Sequence, residues 1–177
     1  MKRVCFPLFV IILVFISTQL SGAETKLVVR VKAKDAKFIG TSMGGARVIV
    51  RDGETGEILA SGLTSGGTGN TKILMMEPHK RGVLLSDESA AKFETSININ
   101  EPTLVTIEAQ APMAQKQSLI KSSTQVWLIP GKPIAGDGVI IEVGGFAVDV
   151  LMPQTHESIK LNGSSVLVPI KANMVMM

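Results

Sequence analysis

Cysteine is almost missing from this 177-residue chain: Cys5 is the only one, and there is no tyrosine at all. Aromatic residues make up 4% of the sequence, and no block of five or six basic residues occurs anywhere. Each shortage excludes something. A single thiol rules out a disulfide framework and a thiolate metal cage. Too few rings remain for a stacking platform of the kind that holds single-stranded nucleic acid or sugars. Without a basic stripe there is no electrostatic footprint for a nucleic-acid duplex. A long apolar run is missing too. The longest, Val4 to Ile16, falls short of the roughly 20 residues a membrane helix needs.

That short run has a clear meaning in its context. Lys2 and Arg3 precede it, polar Ser17, Thr18 and Gln19 follow it, and Ser21-Gly22-Ala23 puts small residues where a signal peptidase reads. This is the three-part pattern of a secretory signal peptide, expected to span 1–23 with cleavage after Ala23; an uncleaved N-terminal anchor is the rival reading. Removal takes away Cys5, Phe6, Phe9 and Phe15, and leaves sixteen basic against fifteen acidic residues. The mature chain of 154 residues is then nearly neutral, free of thiols, and expected in the periplasm or outside the cell with no transmembrane segment. A domain of that size buries enough surface to fold without disulfides.

Glycine and proline cut the remainder into short β-rich runs. Val29, Val31 and Ala33 alternate with Arg30, Lys32 and Lys34, which predicts a half-buried strand with its charged side in water. Runs at 46–51 and 57–61, joined by Asp52-Gly53-Glu54-Thr55-Gly56, predict a hairpin. Further strands are expected over 72–76, 94–99, 103–109, 125–129, 139–143, 146–151 and 166–177, the last interrupted by Pro169. Ser86 to Lys92 has the N-cap and early acids of one or two helical turns. About ten short strands with almost no helix predict an all-β sandwich with Greek-key connections. No internal repeat at a fixed period and no low-complexity stretch is present.

Gly44-Gly45-Ala46-Arg47-Val48-Ile49-Val50-Arg51-Asp52, followed by Thr55-Gly56-Glu57-Ile58-Leu59-Ala60 and Gly62-Leu63-Thr64, resembles the transthyretin-like, or carboxypeptidase-regulatory-like, Ig-type module of exported bacterial proteins. The resemblance covers about Lys26 to Ile129. It implies a seven-stranded sandwich used for stability, spacing or binding, with no catalytic residues to carry over. Residues 24–133 are therefore expected to form this sandwich. Residues 134–177 are expected to be an incomplete second Ig-like unit or strands added to the first, because Phe146 to Met177 is similar to the opening of such a domain.

Candidate chemistry is thin. Gly40-Thr41-Ser42-Met43-Gly44 matches the G-x-S-x-G pattern of serine hydrolases, but that elbow requires a helix after the serine and a strand is expected here. Gly66-Gly67-Thr68-Gly69-Asn70-Thr71-Lys72 lacks the order and the following helix of a phosphate loop. His79, Asp137, Asp149 and Glu157 read as surface or turn groups, and Asn162-Gly163-Ser164 reads as a turn before it reads as a glycosylation triplet. No spacing fits zinc or an EF-hand. Methionine is the exception. Met75-Met76 with His79, Met152 with His156, and Met174, Met176 and Met177 offer soft ligands suited to Cu(I). The expectation is an exported, non-enzymatic β-sandwich with no catalytic, cofactor or metal residues. Its expected role is structural or protein-binding, toward another exported or cell-envelope protein and not nucleic acid. The alternative is a periplasmic copper-binding protein using Met and His.

Overall fold

The computed structural model describes residues 22–177, so the basic and apolar stretch at 1–21 lies outside the described residues. Nine strands occur among the described residues: β1 (Ala23–Ala33), β2 (Arg47–Asp52), β3 (Ile58–Leu63), β4 (Phe93–Ile99), β5 (Thr103–Ala111), β6 (Ile120–Leu128), β7 (Ile134–Val143), β8 (Phe146–Met152) and β9 (Lys171–Met176). The fold is all-β. One sheet has the order β4-β1-β7, a second has β3-β2-β5-β6, and β8 and β9 form a separate two-stranded sheet.

The two larger sheets share one core because their strands alternate in register. From the first sheet come Leu27, Val29, Val31 and Ala33 with Ile97, Ile99, Ile141 and Val143; from the second come Val48, Val50, Val105, Ile107, Ala109 and Leu128. Branched aliphatic side chains at every second position fill such an inter-sheet space well. The β2–β3 hairpin turns where expected. Asp52 Oδ1 accepts the N–H groups of Glu54 at 2.9 Å and Thr55 at 2.8 Å, and Gly56 takes the positive φ of 75° that closes the turn.

Several expectations are corrected, and one open alternative is specified: β7 begins at Ile134 and pairs in parallel with β1, as a strand added to the first sandwich. The hydrogen-bonding edge of β1 left open by β4 is what recruits it. β6 starts at Ile120, five residues before the expected 125, because Ile120 pairs with Ala111 at the far end of β5. The terminal strand is confined to Lys171–Met176; Val166 to Ile170, which contains Pro169, lies outside the ladder.

The largest correction concerns β1. Most of its charged side does not face water: Arg30 is 4% exposed and Lys32 is also buried, and of the three only Lys34, just past the strand, is exposed. The long excursion between β3 and β4 folds back over that side. Phe38, Leu74, Ala90 and Ala91 form a small second core there, with Leu85 and Ile140 against it. Lys72–Met76, expected as a strand, is a single π-helical turn. Asn70 Oδ1 accepts the N–H of Lys72 at 2.9 Å, which sets the chain turning, and only Leu74 of the five residues is buried, so no alternating face exists to hold a strand. Ser86 to Lys92 is not helical. Its backbone groups are taken by others: bridges pair Ser65 with Lys92 and Gly67 with Ala90, and Ser86 is bound to Asp137.

Candidate functional site

The β8–β9 hairpin stands apart from the sandwich yet is fixed to it at its base. Met177 donates its N–H to the Gly145 carbonyl at 3.0 Å, and the side chains of Ala147 and Met177 are buried in the main core. The turn Lys116–Ser118 holds the outer edge of β8. Ser118 Oγ donates to the Val148 carbonyl at 2.5 Å and accepts from the Val148 N–H at 2.6 Å. Gln117 Oε1 accepts the Val150 N–H at 3.0 Å. These side chains satisfy backbone groups that a neighbouring strand would otherwise take, which blunts that edge.

The pleat of the hairpin decides what it shows to water. Phe146 lies opposite Met176, Val148 opposite Met174 and Val150 opposite Ala172. Directly paired residues share a face. All six are exposed, whereas Ala147 and Val175 on the reverse face are buried or half-buried toward the sandwich. The result is a contiguous apolar face with no charged side chain among its three cross-strand pairs. The segment that connects the strands, 153–170, is exposed throughout and carries Leu161, Leu167 and Ile170. Asn162 Oδ1 accepts from Ser164 Oγ at 2.7 Å, so the Asn-Gly step is a turn, with Gly163 at φ 82°.

The soft-ligand residues are dispersed. Met152 and His156 line one groove together with Glu157. Met174 and Met176 point outward on the apolar face, while Met177 is buried. Met75 and Met76 are exposed next to Leu74 of the second core, whose carbonyl lies 3.2 Å from His79 Nε2. No group of three or more His, Cys, Asp or Glu residues converges among the described residues. Ser42 sits in a 3-10 turn, Thr41–Met43, that leads into β2 and not into a helix.

Asp137 is a position the sequence understated. It was expected in a surface turn, but Gly136 and Gly138, at φ 70° and 68°, place it in an irregular stretch of β7 beside β1. A Cβ on Gly138 would lie 2.2 Å from the Val28 carbonyl oxygen, so the close approach requires glycine. From there the carboxylate reaches the excursion. It accepts the Leu85 N–H at 2.9 Å, the Ser86 N–H at 2.8 Å and the Ser86 hydroxyl at 2.7 Å. Burial pushes its pKa up, but the Leu85 and Ser86 donors outweigh that, and the net shift is downward. Nearby, Arg30 Nη1 donates to the carbonyls of Ala90 at 2.5 Å and Ala91 at 3.0 Å, and its guanidinium lies 5.6 Å from the Phe38 ring centre. Glu94 bridges Lys26 and Lys92, which holds its pKa at about 2. A cavity of about 250 Å³ lies among Arg30, Ser86, Asp87, Lys92 and Glu94. Its charges are largely spent on each other and on the excursion's backbone.

No helix among the described residues is long and apolar enough to cross a membrane. No family model, curated protein or solved structure matches the chain.

Proposed function

We propose that this chain is an exported, non-enzymatic β-sandwich of the transthyretin-like, Ig-type kind, with a structural or protein-binding role in the periplasm or outside the cell. The leader-like start at 1–23 supports the location. Seven strands in two sheets, β4-β1-β7 and β3-β2-β5-β6, match the strand number that the transthyretin-like resemblance implies. In the immunoglobulin constant arrangement the first, second, fourth and fifth strands share a sheet, which is not the partition here. The observation that carries the binding role is the outward face of β8 and β9. An exposed, contiguous apolar patch marks an interaction surface far more often than scattered apolar residues do. The expected partner is another exported or cell-envelope protein.

The test is capture from a cell-envelope fraction by the immobilised chain and by its Met174→Asp variant. Retention of specific proteins by the first and loss by the second is the expected result. Equal capture by both removes the hairpin from the reading. The second reading is soft-metal binding, favoured by the groove that Met152, His156 and Glu157 share. Titration of the chain with Cu(I) decides it: stoichiometric binding that His156→Ala weakens at least tenfold supports copper, and absence of binding ends it.

A further inference from the structure

We infer that the β8–β9 face binds a second copy of this chain, face to face, so that the protein is a weak two-fold dimer. The inference rests on the protein-binding reading above and names the partner. The fractional exposures are 56% for Phe146, 41% for Val148, 47% for Val150, 66% for Met174 and 58% for Met176. Together these five residues expose at most roughly 500 Å² on one side of a two-stranded sheet, within the roughly 300–600 Å² found for the largest patch of an ordinary monomer. Two such faces brought together remove at most roughly 1,000 Å² from water, the range of weak, transient interfaces.

Three further features select the same chain as the occupant. First, the face carries no charge, so a charged partner finds nothing to pair with, while an identical apolar face is complementary to it. Second, the edge of β8 at Val148 and Val150 is already satisfied by Ser118 and Gln117, which steers association toward the face and away from edge-to-edge strand addition there. Third, β8 and β9 are covered on their reverse face only, and a second such sheet stacked on the outward face covers the other side in the same step. A two-fold axis near the central pair, Val148 and Met174, sets the same patch against itself, as an isologous interface requires.

Analytical ultracentrifugation of the purified chain without its leader, residues 24–177, over about 1–200 µM tests this, alongside Met174→Asp and, as a control on the outer side of the larger sheet, Ile58→Asp. The expected result is a monomer–dimer equilibrium that Met174→Asp weakens at least tenfold and Ile58→Asp leaves within twofold. A monomer throughout the range overturns the inference, as does a dimer indifferent to Met174→Asp. A second measurement avoids any folding defect of a charged variant: in the same thiol-free chain, Val148→Cys is expected to cross-link two chains on mild oxidation, and Ile58→Cys is not. Failure of Val148→Cys to cross-link where the circular dichroism is native counts against the inference. A monomer whose Met174→Asp variant loses envelope partners overturns the dimer alone and leaves the protein-binding reading standing.

Discussion

Thr64 shows how much one side chain decides. Its Oγ1 accepts the Ala46 N–H and donates to the Ile39 carbonyl, both at 2.8 Å, while its own N–H donates to the Ala46 carbonyl at 2.8 Å. It is buried at the point where the chain enters β2 and leaves β3. The glycines of the same motif serve this junction. Gly45 has φ 72°, and a Cβ there would lie 2.5 Å from the Thr64 carbonyl oxygen; a Cβ on Gly62 would lie 2.4 Å from the Phe93 ring. The small residues of Gly44-Gly45-Ala46 and the Gly62-Leu63-Thr64 step are therefore packing requirements, a physical reason for the pattern that the sequence displayed without explaining. Thr64→Val keeps the shape but strands a buried donor and a buried acceptor. It is expected to destabilise the protein by about 1–3 kcal/mol in urea titration, and Thr64→Ser by distinctly less. A Val variant as stable as the parent contradicts this account.

At the scale of elements, the excursion between β3 and β4 behaves as a cover tied down by charge. Arg30 grips its carbonyls, Asp137 grips its amides, and Glu94 links the lysines at 26 and 92 beside it. The carboxyl groups of Asp137, Asp87 and Glu94 all titrate below their ordinary values. A depressed carboxyl contributes stability that is present above its unfolded pKa and is lost as pH falls through its folded pKa. For Glu94 that window runs from about 4.5 down to about 2. The cover is thus expected to open on acidification before the sandwich does. Hydrogen exchange at pH 3 against pH 6 should show loss of protection at Leu85, Ser86 and Ala91, with β2 and β5 unchanged. Asp137→Asn, which retains one acceptor oxygen, should expose the same amides already at pH 6. Uniform loss across both sheets at pH 3 refutes a separate cover. None of this was legible in sequence. Alternation placed Arg30 and Lys32 on the side away from the core correctly, but alternation cannot report that a segment forty to sixty residues later returns to cover that side.

The whole molecule combines a well-filled seven-strand sandwich with an appended hairpin anchored by its reverse face, its base and the outer edge of β8. Stability is accordingly uneven. β1, β2 and β5 are central in their sheets and fully paired, whereas β8 and β9 have only each other and the Gln117–Ser118 side chains. In dilute solution the amides of β8 and β9 are expected to exchange by local opening, well before those of β1 and β5, and their protection should rise with protein concentration if a second copy covers the face. Equal protection of hairpin and sandwich at all concentrations contradicts this picture. The sequence by itself determined the all-β class, the β2–β3 hairpin, the inward faces of β4 and β5, and the absence of a cysteine framework, because these follow from local alternation, turn chemistry and composition. Only the tertiary structure decided that β7 closes the first sheet against β1, that the charged side of β1 is roofed over, and that the methionines at 174 and 176 lie on one open face with Phe146 and Val148. Those outcomes depend on which distant segments compete for an open strand edge or an apolar surface, and pairing at long range leaves no periodic trace in the chain.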